Sequence, residues 1–181
     1  MTFALKTDRL ILRPWRTDDG DVFARLNADP EVIQDLGGPM TRRASDAKLD
    51  RYRASFEQHG FSRFAIEEKN GTFVGYAGVM PAPYDHPLAP HDQIGWRLIR
   101  SAWGKGYATE AARATLDDVF TRVGLDEVLA YTSVDNLRSQ AVMERLGLRR
   151  DPMLDFDLLN NDVPWHGLVW VAEMRQRVTQ V

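Results

Sequence analysis

The sequence predicts an α/β fold (α+β mixed): a central mixed, mostly antiparallel, twisted sheet with helices on both faces. Three observations predict it. Two apolar-rich runs at 61–80 flank Asn70-Gly71, the signal of an antiparallel hairpin. A strand, a helix and a second strand follow over 93–134, the signature of a crossover unit. Helical segments stand both before and after these strands. With 181 residues, 44% of them hydrophobic and 27% charged, the chain suits one domain over 1–181 with a sizeable core.

The elements follow in order. "LILRPW" (10–15) reads as a first strand. Residues 17–29 read as a helix, with Thr17 as N-cap and Asp18 and Asp19 in the first turn, where the helix dipole favours them. Residues 30–39 form a short helical turn that ends in Gly-Gly-Pro. Over 41–60, Leu49, Tyr52 and Phe56 share one helical face and Gly60 is the stop. In the hairpin, Asn70-Gly71 fits a two-residue type I′ turn, because both of its central residues need positive φ. "PAPYDHPLAPHD" (81–92) holds four prolines and is an ordered surface loop. "QIGWRLI" (93–99) is a strand. A helix over 107–122 stops near Gly124, and 127–134 is a strand rich in β-formers. Residues 136–146 are a helix between the N-cap Asn136 and Gly147, and 166–174 is the last strand.

Composition removes whole classes of chemistry. There is no cysteine, so disulfides, thiolate catalysis and Cys-ligated metals are excluded. His59, His86, His91 and His166 show no metal-ligand spacing, so no metal is expected. A net charge of −3 argues against a general nucleic-acid binder and is compatible with a cationic substrate. No run of 18 apolar residues suggests a membrane span, and the first residues lack a secretory pattern. A cytoplasmic location fits these features.

The densest signal is "RSAWGKGYATEAARATL" (100–116), in which two glycines flank a lysine at a helix start. Four readings compete. A P-loop fails, because Gly106 follows Lys105 and Ile99 stands where the first glycine belongs. A dinucleotide fingerprint matches at Gly104 and Gly106 but not at Thr109, and the upstream hairpin argues against a Rossmann unit. A plain corner needs glycines for geometry alone. A pyrophosphate loop uses helix N-terminal amides, with glycines allowing close approach. Arg97, Arg100, Lys105 and Arg113 against Glu110 favour this last reading.

"WGKGYATEA" followed by "VDNLRSQAVMERLGL" resembles the GNAT superfamily of acyl-CoA-dependent N-acetyltransferases. "TDRLILRPW" and "IGWRL" are similar to its ribosomal-protein-alanine N-acetyltransferase branch. The resemblance spans residues 7–174. It implies acetyl-CoA as cosubstrate and a splayed strand pair, 93–99 and 127–134, that admits the pantetheine arm. It places the pyrophosphate on the amides of Gly104, Lys105, Gly106, Tyr107, Ala108 and Thr109. Leu98, Ile99, Trp103, Asn136, Ser139 and Arg145 complete the expected cofactor site. The family often carries Gln or Arg three residues before Gly104; here Ser101 stands there, with Arg100 one place early.

Acetyl transfer to an amine needs loss of an ammonium proton, donors for the oxyanion and help for the leaving thiolate. The backbone N–H near Leu98 is the expected oxyanion donor. Where many members have a tyrosine acid this chain has Met143, and the resemblance passes that role to the Ser139 hydroxyl. The alternative for Ser139 is a plain third residue of a capped helix. Where the branch often has a glutamate base this chain has Gln93, a neutral amide. Asp92 is adjacent but alternation points it to the other face. His86, His91 and Asp85 lie in the proline-rich loop, which offers a cover for the acceptor site. Direct transfer in a ternary complex is expected, to a small-molecule amine or a protein N-terminus. The competing class is a non-catalytic acyl-CoA-binding module.

Overall fold

The structure, a computed structural model, describes residues 3–34, 38–160 and 163–174. Nine strands and four α-helices build it: β1 (Leu5–Lys6), β2 (Leu10–Arg13), α1 (Gly20–Ala28), α2 (Arg42–His59), β3 (Arg63–Glu68), β4 (Phe73–Pro81), β5 (Asp92–Leu98), α3 (Tyr107–Asp118), β6 (Glu127–Thr132), α4 (Leu137–Arg145), β7 (Arg149–Arg150), β8 (Phe156–Asn160) and β9 (Val163–Glu173). The sheet order is β1-β2-β3-β4-β5-β6-β9-β7, with β8 paired to β9. All pairings are antiparallel except β5 with β6.

Local chemistry sets the element ends. Thr41 caps α2 by accepting from the Ala44 N–H (3.2 Å), and Gly60 closes it in the left-handed region at φ +75°. Asn136 caps α4 by accepting from the Ser139 N–H (3.0 Å). Two expectations change. Thr17 is not a cap: it opens a short 3-10 turn (Thr17–Asp19) whose N-cap is Arg16. Asp19 then reaches back to accept from the Arg16 N–H (2.6 Å). The hairpin turn is also not the two-residue type. Gly71 N–H donates to Glu68 O (2.8 Å) and Glu68 N–H to Thr72 O (2.9 Å), which makes a three-residue loop over 69–71 with Gly71 in the left-handed position. Asn70 serves it by accepting from the Thr72 N–H (2.9 Å). Of the helical turn expected over 30–39, residues 35–37 lie outside the described residues.

One face of the sheet packs on α3 and α4 through Ile94, Leu116, Val128, Val142 and Trp170. The opposite face of the β2–β4 region packs on α1 and α2 through Trp15, Phe23, Leu49, Tyr52 and Tyr76. Beyond β6 that same side is covered by β8 and the proline-rich loop around Phe156. Between these two covers the sheet is open.

Candidate active site

The opening follows from strand pairing. β5 and β6 run parallel, and among the described residues Gln93 and Leu129 form their single register pair. Beyond it the two strands separate. Ile99 N–H donates to Val74 O (3.0 Å), in phase with the β4–β5 register. An antiparallel ladder alternates, so the main-chain groups of Gln93, Gly95 and Arg97 face β4. Those of Trp96 and Leu98 face the gap. The Leu98 carbonyl accepts from the Trp103 indole N–H (2.9 Å), whereas the Leu98 N–H faces the gap. The Ile99 N–H, by contrast, is taken by the Val74 carbonyl.

A cleft of about 1920 Å³ runs along this gap. At one end lies the glycine turn. Gly104 and Gly106 are both left-handed, at φ +73° and +78°, a conformation that L side chains adopt only with strain. They bring the chain to the first turn of α3, whose N-cap Gly106 has no side chain to occupy the helix amides. Lys105, Tyr107, Ala108 and Thr109 line the cleft there, and the Thr109 hydroxyl is buried without a hydrogen-bond partner. Glu110, the one acid in this turn, also lines the cleft but is already engaged. It accepts from Thr7 Oγ1 (2.6 Å), the Arg9 N–H (3.0 Å) and Arg9 Nε (2.7 Å). Although burial opposes it, these bonds hold its carboxyl below the usual range. The end is therefore donor-rich with its carboxylate neutralised, which fits a phosphate ester. Of the four cations singled out in sequence, Lys105 and Arg113 line the cleft near it. Arg100 is held by Asp29 (3.0 Å) and Glu31 (2.6 Å), and Arg97 is buried on the other side of the sheet, bonded to Asn27 Oδ1 (2.9 Å).

Along the middle stand Asn136, Ser139, Met143 and Arg145 of the α4 region. Asn136 holds the Ser139 amide, which fixes the first turn of α4 and the place of the Ser139 side chain. Arg138 lies over the Trp103 ring at 3.9 Å, closing the outer rim.

At the far end Gln93 lines the cleft, and its Oε1 accepts from Tyr131 Oη (2.6 Å) and Arg63 Nη2 (3.1 Å). Asp92 alternates to the opposite face, where burial raises its carboxyl and His59 and His91 lower it. The structure therefore does not bring it to the cleft with Gln93. His86 reaches the cleft and stacks on Tyr131, with ring centroids 5.0 Å apart. Its Nδ1 already accepts from the Leu88 N–H (3.1 Å), so in the neutral ring the proton sits on Nε2 and the group donates rather than accepts. His91 Nδ1 meets the Leu88 carbonyl (3.1 Å) behind it.

Sequence reasoning missed the residues on which Gln93 rests. Arg63 Nη1 donates to Tyr52 Oη (3.0 Å), and the guanidinium lies across Gly95, where a Cβ would come within 2.9 Å of Nη2. Lys48 of α2 stands 5.8 Å from the Tyr76 ring centroid. Burial lowers the Lys48 ammonium to about 8. Burial pushes the Tyr76 phenol up, but the charges of Arg97, Lys48 and Arg63 outweigh it and bring it to about 7. Tyr131, by contrast, is pushed up to about 12 by burial. A signal existed: Lys48 precedes Tyr52 by one helical turn, so it shares that residue's inward face.

Known proteins align with this arrangement. The acetyltransferase (GNAT) domain family matches residues 9–149. An N-acetyltransferase of Bacillus subtilis, YnaD, is 37% identical over 149 residues, 81% of this chain and 83% of that protein. The FsC-acetyl coenzyme A-N(2)-transacetylase of Aspergillus fumigatus is 31% identical over 151 residues, 80% of this chain and 64% of that longer protein. Among solved structures, an acetyltransferase from Agrobacterium tumefaciens superposes with a TM-score of 0.83 at 28% identity, covering 96% of each chain.

Proposed function

The chain belongs to the GNAT family of N-acetyltransferases, and from that premise we propose that it transfers an acetyl group from acetyl-CoA directly to a primary amine. The family's acyl transfer to amines sets the enzyme reading above a non-catalytic binder. One observation carries the choice of acyl donor. The splayed β5–β6 gap presents the main-chain groups of Trp96 and the Leu98 N–H in line between a two-glycine helix N-terminus and Gln93. That line suits a long amide-bearing arm with a diphosphate at one end. The amides from Gly104 to Thr109 would hold the diphosphate, the Thr109 hydroxyl supplying one more donor. Trp103 and Arg138 would form the rim, with Arg145 near the nucleotide end.

Bound acetyl-CoA supplies an activated thioester. The Leu98 N–H, facing the gap, would stabilise the oxyanion. The Ser139 hydroxyl, in the first turn of α4 and lining the cleft, would donate a hydrogen bond to the departing sulfur. A thiol of pKa about 8.5 leaves as a weak base, so a donor suffices and a strong acid is not required. Gln93 cannot take the ammonium proton. Its neighbours make a dedicated carboxylate base dispensable, because like charges disfavour an entering ammonium. Arg63 and Lys48 favour the neutral amine, and its proton goes to solvent before capture.

The test is direct. Free CoA is expected to raise the melting temperature where NAD does not; an opposite ranking would sink the reading. Ligand at 100 times Kd contributes about 2.7 kcal/mol, which at this chain length is roughly 5–10 °C. Thiol release over an amine panel should fall about tenfold or more in Ser139→Ala with CoA affinity kept. An unchanged rate would remove Ser139 from the reaction.

A further inference from the structure

The far end of the cleft has an excess of cations and hydrogen-bond donors over acceptors. Arg63 and Lys48 line it, and the described residues give neither a carboxylate partner. Arg63 spends two of its nitrogens on neutral groups, Tyr52 and Gln93, and its Nε is buried with no partner. Arg97 adds a third charge beneath Tyr76, 5.6 Å from the ring centroid, and its bond goes to neutral Asn27. On the opposite wall, His86 Nε2 and Trp165 Nε1 are also buried without partners, and in the neutral histidine both are donors. The carboxylate on this rim is Glu31, and Arg100 already holds it at 2.6 Å. The three cations share a single acidic phenol, Tyr76, and buried charge short of counter-ions is costly, as is an unmet donor. The resemblance to the family expected a glutamate at position 93; the neutral Gln93 leaves Arg63 unbalanced. Gly95 makes the room, since any side chain there would collide with the guanidinium.

We propose that this end is a carboxylate-binding subsite and that the acceptor is a small amino-acid-like molecule carrying both an amine and a carboxylate. Arg63 and Lys48 hold the carboxylate, and the amine is turned toward Gln93 and the gap between β5 and β6. The inference rests on the transferase reading for its amine but not for its anion. A polyamine, which carries only positive charge, is disfavoured at such a site. The mild acidity of the whole chain, which is compatible with a cationic substrate, is not repeated locally.

The experiment has two arms. In the first, thiol release from acetyl-CoA is measured with amino acids of varied side chain, each paired with its carboxamide, and with spermidine. The acid is expected to exceed its amide at least tenfold in kcat/KM, chiefly through KM. In Arg63→Met and in Lys48→Met the acid-to-amide ratio should collapse toward one. In the second arm, N-acetyl amino acids and their amides are titrated calorimetrically into the CoA-saturated protein and both variants. Acids should bind more tightly than amides, and the variants should lose the difference. Arg63 also ties Tyr52 to Gln93, so Lys48→Met decides the matter if Arg63→Met does not fold. Amides or spermidine turned over as well as acids, or a ratio unmoved by both variants, overturns the subsite. Acid-selective binding without turnover of any amine keeps the subsite and overturns the transferase reading instead. No selective binding and no selective turnover overturns the subsite alone.

Discussion

Buried charge in this molecule falls into two kinds at the scale of single residues. Arg13 is compensated: it donates to both oxygens of Asp19 (2.7 and 2.9 Å) and to Glu67. Burial alone would raise the Asp19 carboxyl, but the Arg13 side chain and the Arg16 N–H pull it below the usual range. Its folded value therefore lies under the unfolded value of about 3.9, so its stabilisation is complete above that pH and is lost as pH falls through the lowered value. Asp19→Asn should cost about 3 kcal/mol at neutral pH, read from urea unfolding, because it leaves Arg13 short of a partner. The penalty should shrink in acid, and a pH-independent penalty would show that the charge is not its source. Arg63 and Lys48 are the other kind, facing a cleft with no carboxylate partner among the described residues and only the Tyr76 phenol to share. Lys48 has a folded value below its unfolded one, so its protonation burdens the fold below about pH 8. That burden lifts as pH rises toward the unfolded value of about 10.4. In Lys48→Met the rise in stability between pH 8 and 10 should flatten; an identical rise in both proteins would contradict that burial.

Elements explain why some features could be read in the sequence and others could not. α2 and α4 carried their ends in plain residues, Thr41 with Gly60 and Asn136 with Gly147, because caps are local chemistry. The hairpin was equally visible, yet its turn type was not. Asn70-Gly71 suits two different loops, and the choice depends on how β3 and β4 register, with an irregularity between Ile66 and Glu67. β1, β7 and β8 were not expected: two of them are two residues long, and β8 exists by pairing with β9. The glycine-turn end of the cleft was legible for the same reason as the caps, since one turn and one helix start contain it. The acceptor end was not, because α2, β3, β5 and β6 each contribute one or two side chains to it. Asp92 and Gln93 show how far local pattern reaches: strand alternation put the two on opposite faces, and the ladder agrees, with Gln93 lining the cleft. At this scale the glycine turn can be tested separately from the chemistry. Gly106→Ala forces a Cβ into the left-handed region, at a cost of order 1–2 kcal/mol. It should weaken CoA binding by tenfold or more while a saturating CoA concentration restores much of the rate. Unaltered affinity would mean that the turn does not serve the ligand.

For the whole molecule, the sheet is best seen as two plates. β1 to β5 form one, and β6 to β9 the other. They are stitched at one point by Gln93 and Leu129 and backed on one face by α3 and α4. No helix among the described residues is long and apolar enough to cross a membrane. Elsewhere in the sheet each strand finds its ladder in a neighbouring strand. Along this seam several rungs are absent, and the proposed pantetheine arm has the amides to supply them. The cosubstrate would then be a temporary strand, and the enzyme would be mechanically complete only while loaded. Amide exchange should show it: the Trp96 and Leu98 N–H groups should exchange quickly in the empty protein and slow by tenfold or more with CoA, while the β3–β4 hairpin stays as it was. Equal protection in both states would mean that the seam closes by itself. If it does not, loading and stiffening are one event, and the rigidity of the fold reports how much acyl donor surrounds it.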